Sequence, residues 1–310
     1  MAKYCSLAYA AALEALKGQM HAMRDQIEPL RAEDGDGIHD MRVASRRTRA
    51  LLAECGGLFA KPVARTLRKQ VRDVTSRLSK ARELDVSLAI LERHRKGSHG
   101  PTCYAINHVV RSLRVLRRME SSAIADTVTL ASSAEFNDRF QTLLHSVGDR
   151  KQCLVKNAVR STTRRYRDVV EAHTRWQAAR TQELLHRLRI AFKKLRYTCE
   201  IYRKTYGPVM DEFIESLKDA QDWIGEWHDY SIVRNYVHQA SAGAPPRAAE
   251  GLPELLAVMD QKINTLLDTF TSQAGLLFEP SRQETIVAFL SSLHHECCWG
   301  DRASGVNLGR

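Results

Sequence analysis

"IHDMRVASRRTRALLAECGGLF", residues 38–59, places a histidine ahead of four arginines within eleven positions. The same spacing returns in "LHRLRIAFKKLRYTCEIYRKTYG", residues 185–207. His39, Arg42, Arg46, Arg47 and Arg49 correspond to His186, Arg189, Lys193, Lys194 and Arg196 at a constant offset of 147. Both segments follow H-x-x-R-x-x-x-[RK]-[RK]-x-R.

Each segment reads as a helix. At roughly 100° per residue, the His and the residues 3, 7 and 10 places after it share a sector of about 80°. The apolar positions fall on the other side: Met41, Ala44, Leu51 and Leu52 in the first copy, Leu188, Ala191, Leu195 and Cys199 in the second. Each helix therefore has one face to bury and one basic face. Like charges at i, i+3 and i, i+4 oppose an isolated helix, so core packing or a polyanion must compensate. A solvated surface explains one such stripe; two in the same register favour a binding face.

The charge distribution agrees. The 310 residues hold 47 Lys and Arg against 36 Asp and Glu, a net +11. Residues 38–118 contain 19 basic and 6 acidic side chains, and residues 149–206 contain 16 and 5, which leaves the remainder at −13. Such concentration focuses a field and suits a polyanionic partner. Aromatic content of 7% and charged content of 27% fit a helical domain. No stretch approaches the ~18–20 apolar residues of a membrane span, and "MAKYCSLAYAAALEALKGQ" reads as a first helix, not a signal peptide. Seven cysteines without a C-x-x-C pair suit a reducing cytoplasm.

The repeat extends beyond the stripes. Residues 61–94 read as one long helix whose counterpart is 207–238; Leu67, Val71, Arg72, Asp73 and Leu78 match Phe213, Leu217, Lys218, Asp219 and Ile224 at an offset of 146. Gly- and Pro-containing breaks follow at 95–102 and 241–253, and a further helix follows each break, at 103–126 and 254–274. The expectation is an all-α protein of two four-helix units, 1–128 and 150–276. Residues 129–149 join them with a short helix near 134–146, and 277–310 form a last helix, 281–296, and a loose tail. The two bundles are expected to pack about a pseudo-two-fold axis.

"HDMRVASRRTR" and "HRLRIAFKKLR" closely resemble the signature of the CHAD family, a histidine-containing α-helical domain. "LSKARELDVSL" (78–88) and "IGEWHDYSIV" (224–233) resemble its second motif. Thr48 stands where the family usually has Leu, and Ser79 and Glu83 where Gly and Asp are usual. The resemblance covers about residues 1–296 and implies two helical bundles around a basic cavity that binds inorganic polyphosphate. It implies that His39, Arg42, Arg46 and Arg49 line one wall and His186, Arg189, Lys193 and Arg196 the other. Arg47 and Lys194 then flank the stripes, and Arg72 and Lys218 form a matched pair on the following helices.

Polyphosphate offers anionic oxygens and no bases. Arginine forks that grip two oxygens, and lysine point charges, meet that need. Arg65, Arg68 and Lys69 share a face with Arg72 and are weaker candidates. The ladders Arg111, Arg114, Arg118 and Lys156, Arg160, Arg164, Arg167 either extend the cavity or lie on the surface. The two histidines are expected to strengthen phosphate binding as they take up a proton. No carboxylate shares the stripe faces, so no acid–base or metal-assisted hydrolysis is expected and the protein is read as non-enzymatic. No Gly-rich nucleotide loop occurs, no cofactor is expected, and "HHECC" (294–298) is a weak metal candidate. A nucleic-acid binder using the same basic faces is the main rival, with Tyr197 as the one well-aimed aromatic.

Overall fold

The computed structural model describes residues 2–146, 148, 153–279, 281 and 283–292. Its helices, in chain order, are α1 Ala2–Asp25, α2 Ile27–Arg31, α3 Gly35–Cys55, α4 Lys61–Arg77, α5 Ser79–Arg95, α6 Gly100–Met119 and α7 Ser121–Ser132. They continue with α8 Ala134–His145, α9 Leu154–Ala179, α10 Gln182–Ile201, α11 Arg203–Tyr206, α12 Asp211–Gln239 and α13 Pro246–Gly275. Residues 283–292 are also helical, and no strand occurs among the described residues. None of these helices is long and apolar enough to cross a membrane. The "HHECC" segment lies outside the described residues.

The stripe helices start where polar caps stop the preceding chain. The Asp34 carboxylate accepts from the Asp36 N–H at 3.2 Å, and the Thr181 hydroxyl accepts from the Leu184 N–H at 3.3 Å. Each satisfies a backbone donor that the first helical turn would leave unpaired. From there α3 and α10 bury the faces expected of them. Met41, Ala44, Leu51 and Leu52, and Leu188, Ala191, Leu195 and Cys199, are all buried. Each large apolar side chain so removed from water contributes about 1.5–3 kcal/mol before entropy is counted. Trp227 is buried in the second half, with Trp223 packed against the same core.

Three elements differ from the sequence expectation, one of them α13, which starts at Pro246 inside the break expected over 241–253. Residues 61–94 are not one helix: α4 ends at Arg77 and α5 starts at Ser79, whereas α12 runs unbroken through the corresponding region. At this break the Thr75 carbonyl accepts from the Arg42 guanidinium and from the Ser79 hydroxyl, at 2.7 and 2.9 Å. Side chains thus solvate a carbonyl at the interruption. The helix expected over 103–126 is likewise two, α6 and α7, parted at Glu120.

The apolar core does not divide at residues 128–150. One cluster is built from α1, α2, α3, α4, α7 and α8 (Leu16, Leu30, Ile38, Leu67, Val71, Phe140). The other unites α5 and α6 (Leu84, Leu91, Ile106, Val109) with the second half (Phe192, Leu217, Met259, Phe270). Helices α6 and α13 pack closely because Gly251 admits it: a Cβ there would lie 2.1 Å from the Pro101 carbonyl oxygen. Polar ties cross the same seam. Thr102 bonds Glu254, the His94 Nε2 meets the Tyr230 hydroxyl at 3.1 Å, and the Tyr236 hydroxyl donates to Glu83 at 2.6 Å.

Candidate functional site

Four helices, α3 and α5 from the first half and α10 and α12 from the second, enclose a cavity of about 890 Å³. Helix α3 contributes His39, Arg42, Arg46 and Arg47, and α10 contributes Arg189, Lys193, Arg196 and Tyr197. Helix α5 adds Ser79, Arg82, Glu83, Val86 and Arg93; α12 adds Gly225, Glu226, His228, Asp229 and Ile232, with Gln221 and Asp222 a turn earlier. Eight Arg and Lys side chains face four carboxylates.

The site follows the repeat. Arg42 and Arg189, and Arg46 and Lys193, are stripe positions at the offset of 147. Ser79, Arg82, Glu83 and Val86 correspond to Gly225, His228, Asp229 and Ile232 at 146, and all line the same cavity. Those α5 positions recur at helical spacing, which turns one face of α5 inward.

Burial and crowding make this an electrostatically costly place. Burial, reinforced by Arg46, Arg82 and Arg189, holds the Arg42 guanidinium down to about 10. Burial, then Arg189 and Arg46, lowers Lys193 to about 7, although Asp229 opposes the change. Arg189 is lowered, first by burial. His228 is pushed down to about 4 by burial, with Arg189 the next cause; His39 is also lowered by burial and by Arg82. Desolvation and like charge disfavour each protonated form, and the opposite charge of a bound anion would offset that penalty. The buried Nε donors of Arg42, Arg46, Arg189 and Arg196 have no hydrogen-bond partner, and neither does the Gln221 Oε1. Unmade hydrogen bonds in such positions are costly.

The residues expected from sequence separate into two groups. His39, Arg42, Arg46, Arg47, Arg189, Lys193 and Arg196 line the cavity; Arg49, Arg72, His186, Lys194 and Lys218 do not. Arg49 lies about 15 Å along its helix from His39 at 1.5 Å per residue, and it faces Arg68 and Arg72, which depress its pKa after burial does. Arg72 is exposed beside Asp73, at 3.7 Å. His186 is exposed at the rim, its ring centroid 5.3 Å from that of His228. Lys194 is exposed. Lys218 pairs with Glu215 at 3.4 Å and, with Arg47 and Lys204, edges a neighbouring groove of about 840 Å³.

Sequence reasoning missed Arg82, Arg93, His228 and the carboxylates. The signal was present, since the second motif repeats at the same offset as the stripes. The stripes themselves carry no carboxylate, as expected, yet Glu83, Asp222, Glu226 and Asp229 reach the cavity from α5 and α12. Glu83 is tied to Lys80 at 2.7 Å and to Tyr236, and Glu226 lies 3.4 Å from Lys262. Burial raises Asp229, against Arg189, Lys193 and Arg82, which lower it. Among the described residues no three His, Cys, Asp or Glu side chains cluster as a metal site would require. The Arg111 and Lys156 ladders border separate grooves.

Comparison with known proteins bears on this arrangement. Residues 14–238 match the family model described as CHAD domain. The crystal structure of the CHAD domain from the plant Ricinus communis is 17% identical with a TM-score of 0.58, covering 91% of each chain. PptA from Streptomyces chartreusis is 18% identical with a TM-score of 0.61, covering 86% of this chain and 99% of that one. At these identities the likeness is one of fold, and the fold is all-α. A comparison with curated proteins gives no match.

Proposed function

The chain belongs to the CHAD domain family, and on that premise we propose that it binds inorganic polyphosphate, without catalysis, in the cavity enclosed by α3, α5, α10 and α12. One observation carries the reading. The guanidinium side chains of Arg42 and Arg46 on one wall and of Arg189 and Arg196 on the other line one cavity. A chain of phosphates supplies acceptors to all of them and needs nothing else from the protein. Its charge also relieves the desolvated crowding that lowers Arg42, Arg189 and Lys193. We read the two halves as related by a pseudo-two-fold axis through this cavity, and the protein as cytoplasmic and associated with polyphosphate granules.

Nucleic acid suits the cavity less well. Single strands want aromatic platforms between the charges, and of the tyrosines lining the cavity Tyr197 is only partly exposed and Tyr230 is buried. Of the four carboxylates, Glu83 and Glu226 are held by lysines and Asp229 is answered by Arg189, Lys193 and Arg82, an arrangement that does not favour hydrolysis. The test is competition. Polyphosphate held by the protein should resist displacement by single-stranded DNA of matched charge at the same salt. It should release no orthophosphate with or without Mg²⁺ or Mn²⁺. Ready displacement, or steady metal-dependent phosphate release that survives further purification, would defeat this reading.

A further inference from the structure

Of the six large apolar side chains exposed among the described residues, four lie on α6: Tyr104, Val115, Leu116 and Met119, at 50, 46, 38 and 70% exposure. Ala105, Ile106, Val109 and Leu113 of α6 fill the core, and Tyr104 and Val115 lie on the opposite side of the helix, not needed for packing. Of the four, Tyr104 lines a groove of about 880 Å³ that the start of α13 completes. Five arginines line it against a single carboxylate, Glu92. Glu92 is occupied by Arg95 at 2.7 Å and Arg114 at 2.8 Å, so Arg111, Arg118 and Arg247 present charge to the groove that Glu92 does not answer.

The groove also has what the central cavity lacks, a half-exposed aromatic face. Arg247 stands with its guanidinium 5.7 Å from the Tyr104 ring centroid. Tyr104, Asn107, Arg111, Val115 and Arg118 follow one another at three- and four-residue steps, a single stripe of the helix surface. That stripe is about 21 Å long at 1.5 Å per residue.

We propose that this groove is a second binding site, for a single-stranded polynucleotide, independent of the cavity and of the polyphosphate reading. A base stacks on Tyr104, and the phosphates run along Arg111 and Arg118 opposite Arg247. A plain polyanion has no use for an exposed tyrosine, and a lipid surface does not follow a concave groove. Aromatic stacking with arginine contacts is how sequence-tolerant single-strand sites are built. A stacked strand advances about 3.4 Å per phosphate, so the stripe spans on the order of six nucleotides.

The test is fluorescence anisotropy with labelled oligodeoxythymidylate and oligouridylate of about twelve nucleotides, within the usual range of single-strand site sizes. An abasic oligomer of equal charge and phosphatidylserine vesicles serve as further probes. Binding of either oligonucleotide should weaken about tenfold or more in Tyr104→Ala and in Arg111→Ala/Arg118→Ala, as loss of a stacked base or of two phosphate contacts does. Tyr104→Phe should retain it, and Arg46→Ala/Arg189→Ala in the cavity should leave it within about twofold, since neither residue borders the groove. The abasic oligomer should bind the native protein about tenfold more weakly, a difference that Tyr104→Ala erases. These side chains are exposed, so circular dichroism and polyphosphate binding should not change in the groove variants. Three results would overturn the proposal: equal binding of the abasic oligomer, oligonucleotide binding lost with the cavity pair but not with the groove variants, or binding of vesicles and not of oligonucleotides.

Discussion

Glu33 and Arg180 stand 147 positions apart and share a backbone state, with φ of 55° and 50°; they are the two non-glycine residues of positive φ among those described. Each immediately precedes the cap, Asp34 or Thr181, that starts a stripe helix, and each stripe histidine follows five residues after its cap. The duplication therefore extends to the backbone. A left-handed L-residue costs about 1–2 kcal/mol, and each position has a compensating contact. Glu33 pairs with Arg117 at 3.1 Å, and the Arg180 guanidinium lies 4.3 Å from the Trp176 ring centroid.

The caps should matter equally in both halves. Asp34→Ala and Thr181→Ala should each cost about 1 kcal/mol, which lowers Tm by roughly 2–4 °C in a domain of this size. The sites do not contact each other, so the double variant should show the sum. Thermal unfolding measures this, and a cost confined to one half would mean that the two junctions are not equivalent.

Arg42 and Arg189 should behave differently although they are matched positions. Arg42 donates to the Thr75 carbonyl and to the Ser79 hydroxyl, each at 2.7 Å, and so spans the α4–α5 break. Arg189→Ala should weaken polyphosphate binding and leave stability unchanged or slightly raised. Arg42→Ala should weaken binding and also destabilise by about 1–2 kcal/mol, because hydrogen bonds at a poorly solvated carbonyl are lost. Chemical denaturation of the two variants gives the comparison.

Much of this was legible in the sequence, for a physical reason. The buried faces of α3 and α10 follow directly from helical spacing of apolar residues, and the shared charge pattern at 147 marked the two walls that meet. The interruption at Leu78 was not legible, since neither Pro nor Gly stands there and its counterpart α12 runs unbroken. The exclusion of Arg49, Lys218 and His186 was also hidden. A stripe specifies which side of a helix is basic, but the cavity's extent along the axis depends on where α5 and α12 cross it. Arg82, His228 and Asp229 escaped notice because the second motif shows which residues repeat but not that their helical face turns into the cavity.

Lys193 should make binding sensitive to pH near neutrality. Its folded value of about 7 lies below the ordinary lysine value because of burial, then Arg189, Arg46 and Arg42, against Asp229. A bound polyanion favours the protonated form, so affinity should be greatest below about pH 7 and fall as pH rises above it. The histidines add to binding at lower pH, as His39 and His228, both lowered in the empty site, take up protons. Calorimetry in buffers of different ionisation enthalpy should show proton uptake near pH 7.5, lost in Lys193→Arg. In the folded protein the depressed value means that charging Lys193 costs stability, fully below its folded value and not at all above its unfolded value near 10.4. Lys193→Met should therefore raise Tm more at pH 6 than at pH 10.

Gly251→Ala tests how the halves are joined. The added Cβ would sit 2.1 Å from the Pro101 carbonyl oxygen and 2.5 Å from the Thr102 nitrogen, and backbone cannot step aside as a side chain can. The cost should be about 2–3 kcal/mol, at the upper end for overpacking. A variant as stable as the native protein would mean that α6 and α13 lie further apart than described.

The most direct test of the central claim is the salt dependence of polyphosphate affinity. Log affinity should fall with log salt at about −0.7 per phosphate neutralised on a flexible chain, hence a slope near −4 to −6 for six to eight contacts. Arg46 and Arg189 come from opposite walls and each leaves a buried donor unpartnered. Arg46→Ala/Arg189→Ala should therefore flatten the slope by roughly one unit or more and weaken binding far beyond the control pair Arg31→Ala/Arg175→Ala, which removes the same charge from exposed positions. Equal losses from the two pairs would contradict the account, because polyphosphate would then be responding to net charge and not to a site.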